Sequence, residues 1–104
     1  MNLPVCTDDI SKSLSEVSNT DLLTSIKGLK GNENRAIADI VLRLFEINSR
    51  GIYRDAGYSS MHEYCTRALG YSSGAAYRRL EAAKALKTSP EVYELLLTGK
   101  IALA

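Results

Sequence analysis

The stretch ALGYSSGAAYRRLEAAKAL, residues 68–86, gathers side chains of the types that contact nucleic-acid phosphates. Arg78 and Arg79 fall in the first two turns of an alanine-rich helical segment, and Arg67 lies shortly before the glycine that ends the preceding one. A guanidinium presents several N–H donors in a rigid fork that matches phosphate oxygens, and hydroxyls and free amides at a helix start offer further donors. Ser72 and Ser73 occupy that start, and Tyr71, Tyr77 and Lys84 flank the arginines. A tyrosine in such company can bond a phosphate or stack on a base, although a tyrosine at helical spacing also serves as a half-buried core residue. The candidate DNA-contacting set is therefore Arg67, Ser72, Ser73, Tyr77, Arg78, Arg79 and Lys84, with the paired arginines foremost.

A short glycine-containing turn that holds two helices at a steep angle is the helix-turn-helix arrangement, whose second helix enters the major groove. Gly70, Tyr71 and Ser72 fit that turn. The same corner also occurs as plain structure in small helical cores. Glu81, three residues beyond Arg78, offers a surface ion pair that would hold the arginine for no functional reason.

Charge distribution favours this region over the rest of the chain. The 104 residues carry a net charge of only +1, so basic surface has to be local. Residues 51–88 hold six Lys/Arg against three Asp/Glu, whereas residues 1–50 hold six against seven and residues 89–104 one against two. Chemistry of other kinds finds little support. His62 is the single histidine, which rules out a histidine-based metal cluster or catalytic triad built from this chain alone, and it reads as a helix-surface residue. No glycine-rich phosphate loop follows a strand, and the carboxylates are scattered along helical faces. The chain thus reads as a non-enzyme without a cofactor or metal. Cys6 and Cys65 are too few and too far apart for a disulfide framework, and Cys65 on an apolar helical face reads as a small core residue. With no signal segment and no apolar run of membrane-spanning length, the expectation is a reduced, cytoplasmic protein with no membrane partner.

The elements that must position the candidate set follow from apolar spacing and caps. An all-α fold is expected, a compact bundle of about five helices containing the helix-turn-helix-like hairpin. Residues 1–18 read as a flexible tail and residues 19–104 as the helical domain, truncated at its C-terminus because the chain ends inside an apolar run. The first helix is expected over Asp21–Lys30, with Asn19 or Thr20 as cap and Leu22, Leu23, Ile26 and Leu29 on one face, and Gly31 as its stop. A second, longer helix follows to Gly51 and packs antiparallel to the first. Its polar residues Arg35, Asp39, Arg43 and Glu46 have the spacing of intrahelical ion pairs. Ser60 and Glu63 form a capping box for a helix over Met61–Leu69, Gly70 supplies a left-handed stop, and Ser72 or Ser73 caps a helix running to Lys87. Ala76, Leu80, Ala83 and Leu86 make the buried stripe of that helix. Ser89 and Pro90 restart the chain into a helix over Pro90–Thr98, with Gly99 as its stop.

From Gly51 onward, GIYRDAGYSSMHEYCTRALGYSSGAAYRRLEAAKALKTSPEVYELLLTGKIAL resembles the helical region that precedes the nuclease module in bacterial HNH endonuclease family proteins. The resemblance extends back to about residue 20 and rests on Tyr58 and Ser59, Tyr64 with Cys65, Gly70, the run Ala76–Leu80, Pro90, and Gly99 before an apolar restart. It implies a helical DNA-binding or targeting domain working with a C-terminal His-Asn-His nuclease module that is absent from this sequence. The competing expectation is a protein interaction module, a homodimer formed because Leu95, Leu96, Leu97, Ile101 and Leu103 are more apolar surface than one helical stripe hides.

Overall fold

The computed structural model describes residues 13–103, and these are all-α, with no strand among them. Cys6 and most of the expected N-terminal tail lie outside the described residues. The helices are α1 (Asn19–Arg50), α2 (Ile52–Asp55), α3 (Met61–Glu63), which runs on into a π-helical turn over Tyr64–Ala68, α4 (Ser73–Leu86) and α5 (Val92–Leu97). Residue contacts divide the chain into two units, 1–30 and 31–104.

In the first unit, Ser18 rather than Asn19 or Thr20 caps α1, its Oγ accepting the Asp21 N–H at 3.1 Å. The expected break at Gly31 does not occur, because α1 continues through it to Arg50. A glycine ends a helix by turning left-handed, and neither Gly28 nor Gly31 has a positive φ. Without a proline to remove an amide, a helical glycine costs only about 1 kcal/mol relative to alanine. The antiparallel hairpin predicted from the two apolar stripes is therefore replaced by one helix. Leu23, Ile26 and Leu29, at the spacing of a buried face, are 65%, 63% and 65% exposed.

The second unit holds the core. Ala38, Val41 and Leu44 of α1 are buried together with Tyr53, Met61, Cys65, Ala76, Ala83, Leu86, Val92, Leu96 and Leu103. The stripe of α4 is as its spacing predicts, with Ala82 added and Leu80 half-buried. Alanines there let neighbouring backbones approach closely. The Tyr93 hydroxyl of α5 donates to Asp39 Oδ1 of α1 at 2.7 Å. That bond to a carboxylate, then burial, raises the hydroxyl's pKa above its ordinary value. Asp39 thus faces α5 rather than serving only the expected row of surface ion pairs; within that row Arg43 Nη1 donates to the Asp39 carbonyl at 3.1 Å, and Glu46 pairs with Arg50 at 2.7 Å.

Gly99 closes α5 as predicted. Its φ of 76° is left-handed, and the Gly99 and Lys100 amides return to the Leu96 and Leu95 carbonyls at 3.2 and 2.9 Å, a Schellman closure. This turn folds the C-terminal apolar residues back onto the unit. Leu96 and Leu103 are buried and Leu95, Leu97 and Ile101 half-buried, so part of the apolar surface counted from the sequence is covered within the chain.

Cys65 is fully buried, and desolvation raises its thiol pKa, partly offset by the positive charge of Arg79. Thiolate is the reactive form, so in a Cys6→Ser chain the native protein should react with Ellman's reagent at least about tenfold more slowly than the unfolded chain. Equal rates in native buffer and in denaturant would show that Cys65 is accessible.

Candidate nucleic-acid interface

The hairpin is built from local signals that the sequence carries. Ser60 Oγ accepts the Glu63 N–H at 3.0 Å and opens α3. The Glu63 carboxylate accepts from the Ser59 amide at 2.7 Å and the Ser59 hydroxyl at 2.8 Å, one residue before the partner that a capping box would give it. Those two bonds, assisted by Arg67, hold the carboxyl below its ordinary pKa.

After Glu63 the turn widens. The Leu69 amide reaches the Tyr64 carbonyl at 3.3 Å, an i to i+5 bond, in place of the regular α-helix predicted to Leu69. Gly70, at φ 79°, then turns the chain, and the Tyr71 amide bonds the Cys65 carbonyl at 3.1 Å. Ser72 caps α4, its Oγ accepting the Ala75 N–H at 3.2 Å. His62 joins the two helix starts, with Nε2 lying 3.2 Å from Ser73 Oγ and 3.4 Å from the Ser73 carbonyl. The histidine is on the surface, as expected, and it also ties α3 to α4.

The candidate residues separate into two groups. Arg67, Ser72, Ser73, Tyr77, Arg78 and Lys84 are exposed. Tyr77 is 61% exposed, so the core reading of this tyrosine does not hold. Arg67 meets Glu63 only at 3.4 Å and Lys84 meets Glu81 only at 3.5 Å, and such exposed pairs contribute little and leave both cations available. Glu81 therefore pairs with Lys84, not with Arg78.

Arg79 forms the second group. It is half-buried over the Tyr71 ring, 4.6 Å from the centroid, and its Nη1 donates to the Ala75 and Leu103 carbonyls at 3.1 and 3.3 Å. Its Nε is buried without a partner among the described residues. Arg78 Nε donates to the same Leu103 carbonyl at 3.1 Å, while its Nη1 lies over Gly74, where an added Cβ would come within 3.3 Å. The two arginines foremost in the sequence thus strap the C-terminal segment to α4, with Arg78 the more exposed of the two.

Sequence reasoning did not find Asn48, Lys87 and the apolar residues that meet α4 from α1, which line a groove beside Tyr77 and Lys84. No local signal marks them, because the groove exists only once α1 and α4 are packed. Among the described residues no cluster of three or more His, Cys, Asp or Glu could hold a metal, and no helix is long and apolar enough to cross a membrane. No known protein family, no curated protein and no solved structure matches this chain.

Proposed function

We propose that this chain is a DNA-contacting helical module, and that it serves an HNH-type endonuclease whose catalytic residues belong to another module. The observation that carries the DNA reading is the exposed surface of α4, where Ser73, Tyr77 and Lys84 share one face behind the Gly70 turn and Arg78 is exposed about 100° around the helix from Tyr77, with Arg67 on the preceding helix. The nuclease context is supported by the sequence resemblance alone. In this reading Arg67, Arg78 and Lys84 contact phosphates, while the Ser73 hydroxyl is held by His62, Ser72 is occupied as the cap and Arg79 as a strut.

The test is a fluorescence anisotropy titration with duplex DNA at several salt concentrations. Binding should weaken steeply with salt, since each neutralised phosphate releases counterions. An Arg67→Ala/Lys84→Ala chain should keep its helicity, bind more weakly, and lose about one unit of log–log salt slope for each phosphate contact removed. Unchanged affinity and slope in a folded double variant would overturn the assignment, and salt-insensitive association with protein rather than DNA would favour an interaction module.

A further inference from the structure

Beside the exposed face of α4 runs a groove of about 540 Å³, within the range of small-ligand sites. Its floor is apolar, made by Leu44, Met61 and Leu80. Tyr77 forms a wall, and the rim carries Asn48, Lys87 and the exposed pair Lys84 and Glu81, 3.5 Å apart, two cations against one carboxylate. We infer that this groove receives an unpaired nucleobase, stacked against Tyr77 with its phosphate on Lys84 or Lys87, so that the module prefers DNA carrying a single-stranded segment. The inference deepens the DNA-contacting reading and rests on it.

Two features favour a base over an amphipathic acid such as a fatty carboxylate. The groove is partly open to solvent, so a long acyl chain would remain wetted, whereas a base is flat and can leave one edge in water. Its rim also carries the Asn48 amide, which offers both donors and an acceptor to a heterocycle edge, a pairing that an acyl chain cannot use. Tyr77 supplies the aromatic face on which any base stacks, and the lysines supply the backbone charge, the combination by which proteins hold single strands without strict sequence preference. Residue 77 lies on the exposed side of α4, so its ring can be changed without touching the core.

Anisotropy titrations of the whole chain with a blunt duplex, the same duplex with a single-stranded tail, and the tail alone test this. The tailed duplex should bind about tenfold or more tightly than the blunt one, as expected for one stacked base. Tyr77→Ala should abolish that preference, so that tailed and blunt duplexes bind alike, and Tyr77→Phe should restore it because stacking needs the ring and not the hydroxyl. A 2-aminopurine placed in the tail should lose fluorescence on binding to the parent chain and keep it with Tyr77→Ala. Equal affinity for blunt and tailed duplexes overturns the inference while the DNA-contacting reading stands. Binding to no DNA overturns both, and a preference that survives Tyr77→Ala overturns the groove as its source.

Discussion

Leu96→Glu should unfold the protein. Leu96 is 2% exposed and is among the largest fully buried side chains, within a core that among the described residues contains no buried polar or charged residue to receive a carboxylate. Losing the leucine's burial costs about 2–3 kcal/mol. Placing a carboxyl there adds the cost of burying either an unpaired charge or an unsatisfied neutral acid, about 1–3 kcal/mol or more. Domains have only about 5–15 kcal/mol in total, so the sum, about 3–6 kcal/mol or more, removes most or all of the stability of a domain at the lower end of that range. Leu96→Ala should be milder, at about 2–5 kcal/mol, because it leaves a cavity but no buried charge. Thermal melts followed by circular dichroism check both. A cooperative melt for Leu96→Glu near that of the parent would mean that this leucine faces solvent. Had Leu96 been exposed on an open patch, the same substitution would separate two folded copies; because Leu96 is buried, it acts on the fold first.

What could be read from the sequence was what local chemistry decides. The capping serine at position 72, the stop glycines 70 and 99 and the small-residue stripe of α4 each depend on residues within a turn or two, and each is found as its spacing predicts. Gly31 shows the limit of the same reasoning. A glycine followed by asparagine is an adequate stop, but whether the chain uses it depends on whether a left-handed turn there would bury more apolar surface than a straight helix, and no local pattern records that balance. The π turn after Glu63 is of the same kind: an i to i+5 bond arises where tertiary packing shifts a carbonyl, and the residues 64–68 carry no mark of it.

The site was less legible than the fold for a related reason. Arg78 and Arg79 are adjacent, and as a string they are equivalent. Successive residues on a helix are about 100° apart, so Arg79 is carried toward Tyr71 and the Leu103 carbonyl while Arg78 stays at the rim. The carbonyl that holds them lies 24 and 25 residues further along the chain and reaches α4 only because Gly99 reverses direction. Tyr77, by contrast, is exposed in spite of its helical spacing, and the groove beside it joins residues of its own helix to Leu44, Phe45, Asn48 and Ser49 of α1, about thirty residues earlier in the chain.

The continuity of α1 makes a prediction opposite to the one its sequence suggests. If Gly31 were a left-handed stop between two packed helices, Gly31→Ala would strain the turn and destabilise the protein. In the structure Gly28 and Gly31 have no positive φ, and an added Cβ at either would meet nothing within 4 Å. Alanine at each site therefore gains helix propensity and reduces the freedom of the unfolded chain, stabilising α1 by about 0.5–1 kcal/mol per site. Gly31→Pro acts in the other direction. It removes the amide bonded one turn back and drives the ring against the Lys27 carbonyl, a cost of about 3 kcal/mol or more. Helical ellipticity at a temperature where the first half of α1 begins to melt should rise in Gly28→Ala/Gly31→Ala and fall sharply in Gly31→Pro, with the Pro variant losing the turns before residue 31. A Gly31→Ala chain that melts below its parent would restore the two-helix arrangement. One that melts above it identifies residues 19–50 as a single helix whose apolar face at Leu23, Ile26 and Leu29 is left in water.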